Sequence, residues 1–171
     1  MEDEILMSSK KAKELSSQKK LLQKIKLHDV SIEFEGSTAH IKGESALEVM
    51  SVKNVVTAFN RGFDADISSL LLDDDYDIIV ISLRDYTASD KRAMQLKGRV
   101  IGSRGMIKKR LMRETLCYIN VYGKTISIIG QIENLSIVHS AVDMILRGAK
   151  HDNVFAMINK KKAEVYLNGI R

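Results

Sequence analysis

The sequence predicts an α+β fold: two tandem units of order β-α-α-β-β-α, each a three-stranded sheet packed against helices, followed by one further helix. Three observations carry this. The chain repeats itself: Val52-x-x-Val55-Val56-x-Ala58-Phe59-x-Arg61-Gly62 is matched by Val138-x-x-Ala141-Val142-x-Met144-Ile145-x-Arg147-Gly148, and Thr38-x-x-Ile41-x-Gly43 by Thr125-x-x-Ile128-x-Gly130. Such an offset splits the chain into two similar halves. Within each half the apolar pattern switches between strand alternation and helical spacing. Finally, 171 residues of which 44% are hydrophobic can supply cores for two small domains.

In the first unit, residues 1–75, Glu4–Ser8 reads as a strand and Lys10–Lys26 as a helical pair. Val30–Phe34 and Ala39–Gly43 form a hairpin, Ala46–Asn60 a long helix and Asp64–Leu72 a short extra one. Asp73-Asp74-Asp75 marks the junction. In the second unit, residues 76–171, Asp77–Leu83 alternates and is rich in Ile and Val, which predicts a strand. Ser89 is placed to cap a helix reaching Ile101, and Ile107, Leu111 and Met112 recur at the spacing of a second helix, Met106–Thr115. Tyr118–Tyr122 and Lys124–Ile129 alternate around Gly123 as a hairpin. Asn134 is the expected cap of a helix whose apolar face is Leu135, Val138, Val142, Ile145 and Leu146, ending at Gly148. An amphipathic helix from about Asp152 to Leu167 completes the chain.

Charge is divided unequally between the halves. Residues 1–86 hold 11 Lys and Arg against 16 Asp and Glu, whereas residues 87–171 hold 16 against 6. A polyanion is therefore drawn to the C-terminal half. The densest block is Lys97, Arg99, Arg104, Lys108, Lys109, Arg110 and Arg113, with no acidic residue among them. A solvated helix face usually mixes signs, so an acid-free block points to phosphate contact.

That block encloses Arg99-Val100-Ile101-Gly102-Ser103-Arg104-Gly105-Met106-Ile107-Lys108-Lys109. Two glycines between two helices let a nucleic-acid strand approach with no Cβ in the way, and the following helix offers free amide donors. The stretch resembles the KH-domain signature, an apolar pair followed by G-x-x-G and a basic helix, and its β-α-α-β-β-α frame is that of a type I KH unit. The resemblance implies that Gly102, Ser103, Arg104 and Gly105 clamp a single-stranded RNA backbone. Arg99, Lys108 and Lys109 extend the field, and bases lie across a groove floored by Val100, Ile101, Ile119 and Val121. A plain helix-to-helix turn is the alternative for the glycines.

Leu71-Leu72-Asp73-Asp74-Asp75-Tyr76, Leu83-Arg84-Asp85-Tyr86, Leu96-Lys97-Gly98-Arg99-Val100-Ile101-Gly102 and Val121-Tyr122-Gly123-Lys124-Thr125 narrow the resemblance. They are similar to the archaeal tandem-KH factors of small-subunit ribosome assembly, whose eukaryotic relative partners the endonuclease that matures the small-subunit rRNA 3′ end. This likeness implies binding to single-stranded rRNA near that end, and as partners the endonuclease and the alpha subunit of translation initiation factor two. Two positions depart from the pattern. Leu15-Ser16-Ser17-Gln18-Lys19 stands where the first unit would carry its own G-x-x-G, which makes that unit a degenerate KH-like domain. Leu116 stands where the family often has Gly.

Other chemistries find little support. Asp73, Asp74, Asp75 and Asp77 lack the spaced ligands of a calcium loop, and His28, His40, His139 and His151 show no metal spacing with one another or with Cys117. A lone Cys117 before a strand reads as a small core residue. With 5% aromatic residues, a base-stacking platform of the RRM or OB kind is disfavoured. The expectation is a non-enzymatic RNA-binding protein with no catalytic residue, cofactor or metal. An acidic N-terminus, a single cysteine and the absence of an apolar run near the roughly 18 residues of a membrane span predict a cytoplasmic location with no membrane partner. An adaptor for mRNA, for an RNA-degradation complex or for translation initiation would use the same site, and a protein-interaction scaffold with a vestigial loop is the third reading.

Overall fold

The computed structural model describes residues 1–169. It divides into two compact units, Met1–Ile78 and Ile79 onward. The first contains β1 (Glu2–Leu6), α1 (Ser9–Ser16), α2 (Lys19–Lys26), β2 (Val30–Glu35), β3 (Thr38–Gly43), α3 (Ala46–Asn60) and α4 (Ala65–Ser69). The second contains α5 (Asp90–Ile101), α6 (Met106–Thr115), β5 (Tyr118–Tyr122), β6 (Thr125–Gln131), α7 (Ile132–Leu146) and α8 (His151–Gly169), and the sheet they complete includes β4 (Tyr76–Ser82). Strand order is β1-β3-β2 in one sheet and β4-β6-β5 in the other, so the third strand of each unit is central. This is the predicted α+β architecture, drawn twice.

Local chemistry sets the boundaries. β1 lies two residues earlier than predicted because the Ser8 hydroxyl accepts from the Lys11 amide and caps α1, which ends the strand first. The helical pair of this unit breaks at Ser17-Gln18 without glycine: the hydroxyls of Ser16 and Ser17 turn back onto the carbonyls of Lys13 and Glu14. Ser89 caps α5 as predicted, accepting from the Arg92 amide. Asn134 is not a cap. β6 runs to Gln131 and passes straight into α7, so Asn134 falls in the helix's first turn.

The repeated glycines have a shared cause. A Cβ at Gly43 would stand 3.0 Å from side-chain carbons of Val30 and Val49, and one at Gly130 would stand 2.5 Å from the Cys117 sulfur. Gly43 ends β3 opposite Val30, the first residue of β2, and Gly130 stands one residue before the end of β6 against Cys117, just ahead of β5, so at both places the core leaves no room. Cys117 is 2% exposed, burial pushes its thiol pKa up, and its Sγ donates to the Thr115 carbonyl at 3.4 Å. It is core, as its sequence context indicates. Tyr86 donates to Asp143 at 2.7 Å while Arg147 donates to the other carboxylate oxygen at 2.8 Å, which ties the turn after β4 to α7.

Leu116 ends α6 with φ +56° and is 73% exposed. A side chain in the left-handed region is strained and here recovers little by burial. Leu116→Gly is therefore expected to stabilise the protein by about 1 kcal/mol, seen as a thermal midpoint raised by roughly 2–4 °C. An unchanged or lower midpoint would show that no strain is stored there.

Candidate nucleic-acid interface

α5 ends because Gly102 leaves helical geometry. Its amide still reaches the Gly98 carbonyl at 2.8 Å, but its own backbone turns to φ +73°, ψ 174°. A Cβ there would lie 2.8 Å from Ile107 Cβ and 2.9 Å from Ile107 N, so the glycine lets the second helix pack directly on the end of the first. Ser103–Gly105 form a single tight turn closed by the Gly105 amide on the Gly102 carbonyl at 3.1 Å. Arg104 and Gly105 are both left-handed, and nothing lies within 4 Å of where a Gly105 Cβ would be. The loop is open at Gly105 and closed at Gly102.

No side chain caps α6, so the amides of its first turn keep their partial positive charge toward the loop. Ser103, Arg104 and Lys109 are exposed and Lys108 is half-buried. Among the described residues none of these four side chains has a hydrogen-bond or ion-pair partner. The other cations of the acid-free block are occupied. Lys97 donates to the Gly123 carbonyl at 3.1 Å, and Arg110 and Arg113 reach Glu114 at 3.4 and 3.8 Å. Arg110 also lies 3.7 Å over the Phe155 ring. The positive field is thus concentrated on Arg104, Lys108 and Lys109.

Three of the expected site residues are turned into the fold. The Arg99 guanidinium donates to the Ala149 carbonyl, and the Arg99 carbonyl faces His151 Nε2 at 3.1 Å, so Arg99 points into the α7–α8 connection. Val100 is 0% and Ile119 2% exposed. Both belong to the core of the second unit. Ile101 and Val121 are half-buried and keep an accessible apolar edge. β5 is an edge strand, and alternate residues of such a strand present N–H and C=O groups without ladder partners.

The residues match a family model described as the eukaryotic type KH domain, KH-domain type I, over residues 77–163. The chain belongs to the type I KH family. A KH domain-containing protein of Methanocaldococcus jannaschii, MJ0443, is 35% identical over 124 residues, which are 72% of this chain and 55% of that protein. The chain thus spans about half the length of this curated relative. Two solved structures share the fold across nearly the whole chain. A protein of unknown function from Aeropyrum pernix, APE0754, superposes with a TM-score of 0.87 at 21% identity, covering 98% of this chain and 96% of its own. A chain of the a/eIF2alpha–aDim2p–rRNA complex from Pyrococcus horikoshii OT3 does so with a TM-score of 0.81 at 23% identity, covering 96% and 95%.

One grouping escaped the sequence reading. Glu2, Glu4 and His40 bring their side-chain ligand atoms within 4.8 Å of one another on the exposed sheet of the first unit. Spacing along the chain cannot show this, because Glu4 and His40 meet only through the β1–β3 register. They are engaged locally: His40 pairs with Glu4 at 3.1 Å and Lys42 with Glu2 at 3.2 Å. Among the described residues, no helix is long and apolar enough to cross a membrane.

Proposed function

We propose that this KH protein binds single-stranded RNA at the Gly102–Gly105 loop, that its target is the 3′ region of small-subunit rRNA during ribosome assembly, and that it is not an enzyme. The observation that carries the reading is a glycine turn feeding an uncapped helix N-terminus beside three cations, Arg104, Lys108 and Lys109, with no partner among the described residues. Phosphates sit against Ser103, Arg104, Lys108 and Lys109, while bases lie toward Ile101, Val121 and the free edge of β5. The complex of the Pyrococcus relative supports rRNA and the alpha subunit of initiation factor two as partners. The rRNA 3′-end endonuclease is the further partner that the family likeness implies, and the cytoplasm is the location that suits them. Residues 1–75 form the degenerate KH-like domain and residues 76–171 the KH domain that carries the clamp.

Cleavage of a phosphodiester needs carboxylates on a metal or a paired acid and base at the phosphate. None of these residue types occurs from Lys97 to Arg113, and Glu114, just beyond, is engaged by Arg110 and Arg113. Fluorescence anisotropy with a labelled 3′-end small-subunit rRNA strand and unrelated strands of equal length tests the reading. The rRNA strand is expected to bind tightest, with intact RNA recovered in magnesium, manganese or chelator. Three phosphate contacts at roughly −0.7 each give a slope of log affinity against log salt near about −2. Equal binding of all strands would point to the mRNA or degradation adaptor, no binding to the scaffold, and metal-dependent cleavage to an enzyme.

A further inference from the structure

α8 lies outside the β-α-α-β-β-α frame, yet it and the turn before it grip both helices that carry the glycine loop. On the α5 side, Arg99 donates to the Ala149 carbonyl and His151, the first residue of α8, meets the Arg99 carbonyl at 3.1 Å. These two bonds run in opposite directions across the same junction, three residues before Gly102. On the α6 side, the Arg110 guanidinium stacks 3.7 Å over Phe155, itself 3% exposed. α8 is in turn seated by Val154, Phe155 and Ile158, all buried in the core of this unit, and by Lys161 on the Ser140 hydroxyl at 3.1 Å. The last turn of α5 and the first half of α6 are thus pinned to one external element, and the turn between them contains two left-handed residues in succession.

We propose that the α7–α8 junction and α8 act as a strap holding the glycine loop in its binding geometry, with Arg99, His151 and the Arg110–Phe155 pair as positioning residues that do not themselves touch RNA. The proposal rests on the RNA-binding reading of the loop. Its physical basis is that a backbone clamp works only if its donors are already aimed when the phosphate arrives, since ordering them on binding costs affinity. The His151 imidazole must carry its proton on Nε2 to donate to the Arg99 carbonyl, and a glutamine amide can make the same bond from nearly the same place.

The test uses the full chain and the labelled rRNA 3′-end strand. His151→Ala is expected to weaken binding about five- to tenfold, the effect of one lost hydrogen bond on a preorganised loop, and His151→Gln to restore most of it. Arg99→Gln is expected to weaken binding by a similar factor while leaving the salt slope unchanged, because no phosphate contact is lost. A slope shallower by about 0.7 would make Arg99 a phosphate ligand and overturn the proposal for that residue. Backbone amide relaxation without RNA supplies a second measurement: the Ser103–Gly105 amides should lose order in His151→Ala, and order equal to wild type would sink the strap. Failure of the wild-type protein to bind any strand refutes the RNA reading, whereas wild-type binding with undiminished affinity in His151→Ala refutes only the strap.

Discussion

Replacing Ser103 and Arg104 together by Asp is expected to abolish RNA binding, a loss of at least about 100-fold in affinity, without unfolding the protein. The change removes Arg104, which like Lys108 and Lys109 has no partner among the described residues, and places two carboxylates where a phosphate would sit. Repulsion then replaces attraction at a point of the loop where no partner among the described residues compensates. Stability should hold within roughly 0.5 kcal/mol, as for exposed side chains away from structural features. Asp also tolerates the left-handed backbone of residue 104 better than most residues do. Anisotropy titrations of the double variant, paired with thermal melts, check both halves. A Ser136→Asp/Lys160→Asp protein carries the same charge change on α7 and α8. It should keep most of its affinity, and an equal loss there would mean that net charge, not the loop, governs binding.

The repeat, the charge division and the glycine motif were legible in the sequence because each depends on residues near one another in the chain. Periodicity placed α3, α5 and α6 correctly, since capping and apolar spacing are local properties. Asn134 failed as a cap because nothing local announces that a strand will pass into a helix without a loop. The site was less legible than the fold for a specific reason. Charge density identifies a basic block, but only tertiary structure shows which cations the protein itself consumes: Lys97 on a turn carbonyl, Arg99 on the α7–α8 connection, Arg110 on Phe155 and Glu114. Val100 and Ile119 illustrate the same limit for apolar residues, because adjacency to the motif does not distinguish a groove wall from the core behind it. His151 and Phe155 carried no signal beyond helical spacing; their part becomes visible only when α8 is placed against α5 and α6.

The two glycines of the clamp should respond very differently to alanine. At Gly102 the backbone is at φ +73°, ψ 174°, a region nearly exclusive to glycine, and a methyl group would meet the Cβ and backbone nitrogen of Ile107 at 2.8 and 2.9 Å. Neither atom is the loose end of a flexible side chain, so relief requires α6 to move relative to α5. Strain and clash together are expected to cost about 2–4 kcal/mol of stability, with RNA affinity falling at least tenfold as the clamp spreads. At Gly105 the backbone is left-handed, φ +74° and ψ 15°, but the space around a new Cβ is empty. Gly105→Ala should therefore cost only about 1 kcal/mol of stability, and Gly105→Asn still less, because Asn accepts this conformation. Their effect on RNA reports how near the strand passes to residue 105, since the same space is open to a ligand. Urea unfolding of Gly102→Ala and Gly105→Ala, each followed by an RNA titration, separates the two roles. Equal destabilisation by both would show that Ile107 does not lock the first glycine and that the turn, not the packing of α6 on α5, sets the geometry of the clamp.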